Sequence, residues 1–152
     1  MLGSTKTIRQ LSLALSISAL LSACAVPTGS ELFTSEPEKD YSEVYLRGVF
    51  NWWEASEAFK FVKMSDEKLY VDLELIADGQ PYDFKVADGS WSPAYNCGLA
   101  EKTAPIELDD DVELYCFSDS LNLQFIPNET ASYRFQLDVS NDRYPELTIS
   151  KN

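Results

Sequence analysis

Leu69, Val71, Leu73 and Leu75 alternate with Tyr70, Asp72 and Glu74. A period of two marks a strand with one face on a core and the other in water. The pattern recurs along the chain. Val44 to Arg47 alternates, and so does Tyr82 to Ala87, where Asp83 and Lys85 separate Tyr82, Phe84 and Val86. Phe59 to Met64 is a further candidate, joined to the Leu69 strand by Ser65-Asp66-Glu67-Lys68. Later strands are predicted at Ile106–Leu108, Val112–Phe117, Leu121–Ile126, Ser132–Val139 and Glu146–Ser150, with Tyr133, Phe135, Leu137 and Val139 forming one apolar face. Asp78-Gly79 is a turn signal. No window carries a sustained helical stripe, and Ala55 to Ala58 offers one turn at most. Short alternating strands at close spacing bury their apolar faces by packing sheet on sheet. The fold class is therefore all-β, an antiparallel β-sandwich.

The first 23 residues do not fit that pattern. They carry Lys6 and Arg9, no acid, and then an apolar stretch from Leu11 to Ala23. This is a charged n-region followed by an h-region. The stretch is too short to span a bilayer as a helix, which takes about 20 residues. It ends in Leu21-Ser22-Ala23-Cys24, which resembles the lipobox that bacterial signal peptidase II recognises. The resemblance implies cleavage before Cys24 and lipid on that cysteine, and several acyl chains anchor a protein firmly. Ala25 stands where an Asp often retains lipoproteins in the inner membrane, so the expected location is the cell envelope, lipid-anchored, in the outer membrane. Residues 24–42 are rich in Pro, Ser, Thr and Glu and read as a flexible tether. Residues 43–152 form the folded domain.

Cysteine count follows from this. The chain has 3 Cys, and lipidation of Cys24 leaves Cys97 and Cys116. In an oxidising compartment that pair is expected to be a disulfide, two buried free thiols being the alternative. With no His and no third free Cys, no metal site is expected. The Asp109-Asp110-Asp111-Val112-Glu113 run reads as a solvated turn rather than a calcium loop.

Charge excludes a class of partner. The formal charge is −13 with 12 basic and 25 acidic residues, and loss of Lys6 and Arg9 with the leader lowers it to −15. Nucleic-acid affinity rests on Lys and Arg neutralising phosphates, so no nucleic-acid partner is expected. Catalysis also finds little to use. Without His there is no Ser-His or Cys-His pair, and no Gly-rich phosphate loop appears. No cofactor is expected.

The aromatic residues say more. Trp52 and Trp53 follow the first strand, and Trp91 follows the Tyr82–Ala87 strand, with Tyr95 and Asn96 close behind. In a sandwich these two irregular segments can converge at one end. Flat aromatic faces beside a few hydrogen-bonding groups suit sugar rings. Tyr45-Leu46-Arg47-Gly48-Val49-Phe50-Asn51-Trp52-Trp53 resembles the opening motif of early-set, immunoglobulin-like glucan modules. These accompany pullulanases, branching enzymes and secreted α-amylases, and the glycogen-binding module of AMP-activated protein kinase is a relative. Tyr82-Asp83-Phe84-Lys85-Val86-Ala87-Asp88-Gly89-Ser90-Trp91 resembles their second hallmark. The resemblance implies an immunoglobulin-like sandwich and places carbohydrate-binding residues at Trp53, Lys85 and Trp91, with Asn96 a looser candidate. Trp52 stands where the family often has a small or polar residue, and reads as packing.

The function expected from these residues is non-catalytic binding of α-glucan: starch, glycogen or maltodextrin. The chain ends at Asn152 with no catalytic domain after the module, so no enzyme activity is expected. An envelope amylase or porin is a possible partner. The rival expectation is an interaction or structural lipoprotein that docks a protein through a sheet face or edge.

Overall fold

The computed structural model describes residues 39–152. The expected signal peptide, Cys24 and the expected tether up to residue 38 lie outside the described residues. Ten strands follow in chain order: β1 (Val44–Gly48), β2 (Val62–Lys63), β3 (Lys68–Leu75), β4 (Tyr82–Asp88), β5 (Cys97–Gly98), β6 (Asp111–Glu113), β7 (Tyr115–Cys116), β8 (Leu123–Phe125), β9 (Ala131–Asp138) and β10 (Glu146–Lys151). They form two antiparallel sheets. One runs β2-β3-β9-β10-β6; the other runs β1-β4-β5-β7, with β8 also beside β4.

The alternation seen in the sequence decides which residues lie between the sheets. Leu69, Val71 and Leu75 of β3, Tyr133, Phe135 and Leu137 of β9, and Leu147 and Ile149 of β10 are buried from one side. Leu46 of β1 and Phe84 and Val86 of β4 are buried from the other. Phe84 meets Phe135 edge-on with ring centroids 5.3 Å apart, and Phe125 meets Tyr133 the same way at 5.2 Å. Each such fully buried ring contributes about 2 kcal/mol. The Tyr133 hydroxyl donates to Glu129 O at 2.6 Å, which satisfies the polar end of a buried ring. The chain is an all-β antiparallel sandwich, as the period of two requires.

Several expected strands differ in extent. Val112–Phe117 divides at Leu114. β6 pairs with β10 in one sheet, and β7 pairs with β5 in the other. Leu114, fully buried, carries the chain across, its N–H donating to Pro145 O at 2.7 Å. Ile106–Leu108 makes no strand, only a single parallel bridge from Ile106 to Phe125. Phe59–Met64 shrinks to β2, because Glu57–Phe59 turns as a short 3-10 helix. At the other end, residues 39–42, the last of the expected tether, pack on the domain. Lys39 donates through N and Nζ to Asp142, both at 2.7 Å, and buried Tyr41 meets Tyr95 edge-on at 5.7 Å.

Cys97 and Cys116 form a disulfide across the β5–β7 ladder, where they are register partners with Cα atoms 3.9 Å apart. The bond joins two strands of two residues each, at the edge of this sheet. Closing a loop of this length restricts the unfolded chain by about 3 kcal/mol. A Cys97→Ala, Cys116→Ala variant is expected to unfold in urea with about that much less stability. Equal midpoints for wild type and variant would show that the bridge contributes nothing.

Candidate functional site

β1 and β4 set the site. Alternation turns Leu46, Phe84 and Val86 inward, so Tyr45, Arg47, Lys85 and Ala87 occupy the outer face, with Arg47 opposite Lys85 and Tyr45 opposite Ala87. An outer face is ordinarily solvated, yet all four of these residues are buried. Irregular segments cover them: the chain after β1, the β4–β5 connection, and the turn between β7 and β8.

The first segment is built by its own motif. A Cβ at Gly48 would lie 2.6 Å from Asp83 O and 2.8 Å from Phe84 Cβ, so only glycine lets β1 pass β4 here. Asn51 is buried and works as a staple. Its Oδ1 accepts from Gly48 N at 2.9 Å, and its Nδ2 donates to Leu46 O at 2.9 Å and Glu54 O at 3.1 Å. That fold-back carries Trp52 and Trp53 through left-handed backbone, at φ 55° and 62°. In the second segment Asp88 Oδ1 accepts from Ser92 N at 2.8 Å and Ser90 N at 3.2 Å. The resulting turn presents Trp91, again left-handed at φ 57°. Such backbone costs on the order of 1 kcal/mol for a residue with a side chain, and it persists only where neighbours over-determine it.

Arg47 joins the two segments. Its Nε donates to Trp53 O and its Nη1 to Asp88 O, both at 2.7 Å, and its Cζ lies 3.8 Å from the centre of the Trp91 ring. One buried cation therefore holds the backbone of both motifs and backs one indole. Trp53 and Trp91 lie with ring centroids 6.3 Å apart, tilted by 43°.

The third segment is fixed by Lys85 and Asn96. Lys85 Nζ donates to Asn96 Oδ1 at 3.0 Å, to Ser120 Oγ at 2.9 Å and to Ser120 O. Ser120 Oγ donates in turn to Asn96 O at 2.8 Å. At Gly98 a Cβ would collide with Leu121 O, so the returning chain lies directly on the sheet. An ammonium has three donors, and all three of Lys85 are used inside the protein. Burial pushes its pKa down, partly opposed by the carboxylate of Asp119.

These segments enclose an open concavity of about 480 Å³ lined by Trp53, Lys85, Trp91, Asn96, Ser118 and Asn122. The four candidates drawn from the sequence therefore share one site, with a division of roles the sequence did not give. Lys85 and Asn96 are 8% and 7% exposed and form its floor. Lys85 does not stand on a free polar face as expected. Trp91 is 36% exposed and Trp53 partly exposed, so they form the wall. Trp52 is not packing: it is 86% exposed and lies outside the lining.

Ser118 and Asn122 were missed. Both are exposed. Asn122 has a signal of a kind, since it precedes Leu123, which is fully buried, and alternation sends it to the outer face. What the sequence lacked was the pairing of β8 beside β4, with Leu123 opposite Phe84. Among the described residues the lining offers two indoles, amides and a hydroxyl.

No family model matches the chain, and no curated protein matches it. A solved structure described as "Ligand induced structure of AmyP-SBD" is similar to it with a TM-score of 0.55 and 13% identity, over 97% of this chain and 99% of that one. At that identity the likeness is one of fold.

Proposed function

We propose that this chain is a non-catalytic module that binds α-glucan on the outer face of the β1–β4 sheet, carried at the cell envelope by lipid on Cys24. The observation that supports the reading most is the convergence of Trp53 and Trp91 on one concavity with Asn122 and Ser118 at hand. The C–H faces of a pyranose ring pack on indole, while its hydroxyls exchange hydrogen bonds with an amide and a hydroxyl. The similar AmyP-SBD fold, a starch-binding domain, points the same way. A polymer held in this manner would stay near separate envelope hydrolases or porins.

The concavity is shallow, so binding is weak. Two stacked rings and a few hydrogen bonds, less the cost of ordering the sugar, leave about −4 to −6 kcal/mol, equivalent to roughly millimolar to tens of micromolar affinity. Titration of the full-length protein with maltoheptaose, in a detergent that carries no sugar, is expected to give a dissociation constant in that range. No binding of maltoheptaose, amylose or glycogen at millimolar sites rejects the glucan reading.

The anchor has its own test. Wild type is expected to partition into the detergent phase and Cys24→Ser into the aqueous phase, because only the cysteine takes the lipid. Equal partitioning rejects the anchor and leaves the binding reading standing.

A further inference from the structure

The sheet face that holds the concavity continues past Ser118 to a second pair of rings. Among the described residues β7 is paired on one side only, to β5. Cys116 points inward to the disulfide, so its neighbours Tyr115 and Phe117 both lie on the outer face. There they stack, with ring centroids 4.4 Å apart and planes within 25°. Tyr115 is the more covered member, partly buried, with the Asp119 carboxylate near its hydroxyl. Phe117 lies over it and is 53% exposed.

Phe117 is joined to the concavity in two ways. Along the chain it precedes Ser118, which lines the site. Across the sheet its N–H donates to Asn96 O at 3.1 Å, and Asn96 lines the site as well. The register Val86↔Cys97↔Cys116 puts Ala87, Asn96 and Phe117 in one row on the outer face. Two strand spacings separate the ends of that row, about 10 Å. A ring held flat against another ring is already ordered, so a ligand that covers it pays little side-chain entropy.

We infer that Phe117, backed by Tyr115, is a second stacking platform of the same site, taking a further sugar ring of a glucan chain whose other end lies on Trp53 and Trp91. This rests on the glucan reading above and adds chain length to it. The site measures oligomers: a short glucan reaches one platform, and a longer one reaches both. Ser118, between them, meets the hydroxyls of the bridging sugar.

The test compares maltose and maltoheptaose on the full-length wild type, Phe117→Ala and Phe117→Tyr. Wild type is expected to bind maltoheptaose more tightly than maltose. Phe117→Ala is expected to leave maltose within twofold and to weaken maltoheptaose by about fivefold, the value of one aromatic contact. Phe117→Tyr keeps the ring and is expected to keep wild-type affinity for both sugars. Unchanged maltoheptaose affinity in Phe117→Ala overturns the platform and leaves the glucan reading intact. An equal loss for both sugars also overturns it, because the effect would then come through Asn96 and Ser118. Absence of any glucan binding by wild type overturns both the platform and the reading beneath it.

Discussion

Trp91→Ala is expected to abolish retention on amylose while the domain stays folded. The geometry of Trp91 separates the two effects. Arg47 covers one face of its ring at 3.8 Å, which leaves the opposite face for a ligand. Removing the ring deletes one of the two indole surfaces of the concavity, whose affinity is about −4 to −6 kcal/mol. A loss of about 2 kcal/mol weakens binding some thirtyfold and takes it past detection. The core is another matter. Trp91 lies over the outer face of its sheet, and the large rings between the sheets do not touch it. Its loss forfeits the contact with Arg47, about 1 kcal/mol. Retention is read by affinity electrophoresis in amylose, and folding by urea titration. An unfolded variant would make Trp91 a core residue. A folded variant retained like wild type would move the binding site elsewhere.

How much of this was legible in the sequence depends on how local each signal is. β3, β4, β9 and β10 were readable because each alternates over six residues or more, and only a strand satisfies that run. The division of Val112–Phe117 was not, because Val112, Leu114 and Cys116 keep one unbroken alternation while the pairing partner changes from β10 to β5. Which partner a strand takes is set by the rest of the sheet. The site shows the same limit. Trp53 and Trp91 stood out as bulky aromatics in irregular segments. Their left-handed backbone did not, since neither position carries the glycine or asparagine that usually signals it. Trp52 misled for a related reason. A tryptophan after a strand reads as packing, yet the Asn51 staple turns the chain outward at that point. Lys85 was read correctly as outward and wrongly as free, because Ser120, which takes two of its protons, lies 35 residues away in the chain.

Arg47→Met is expected to disable the site from beneath, without removing any residue that lines it. Methionine keeps much of the stem volume and loses the guanidinium. Trp53 O and Asp88 O each lose a donor at 2.7 Å, and Trp91 loses the cation behind its ring. A carbonyl left without its charged donor costs about 1–3 kcal/mol where water does not replace it. With two such carbonyls and one ring contact, the expected loss of stability is about 3 kcal/mol. The effect on binding follows from geometry. Trp53 and Trp91 come from segments far apart in sequence, and Arg47 bonds to both, so without it their 6.3 Å pairing is no longer imposed. Glucan affinity is expected to fall at least tenfold in protein that remains folded. Near-ultraviolet circular dichroism reports the same change, since it senses two indoles held close in fixed relative orientation. Arg47→Lys gives the sharper contrast. It keeps the charge but not the fork, and so reaches one carbonyl instead of two. Its dichroism and affinity are expected to lie between those of wild type and Arg47→Met. If Arg47→Met is folded, with wild-type dichroism and wild-type affinity, then Arg47 does not hold the tryptophans, and the turns at Asn51 and Asp88 suffice to position them.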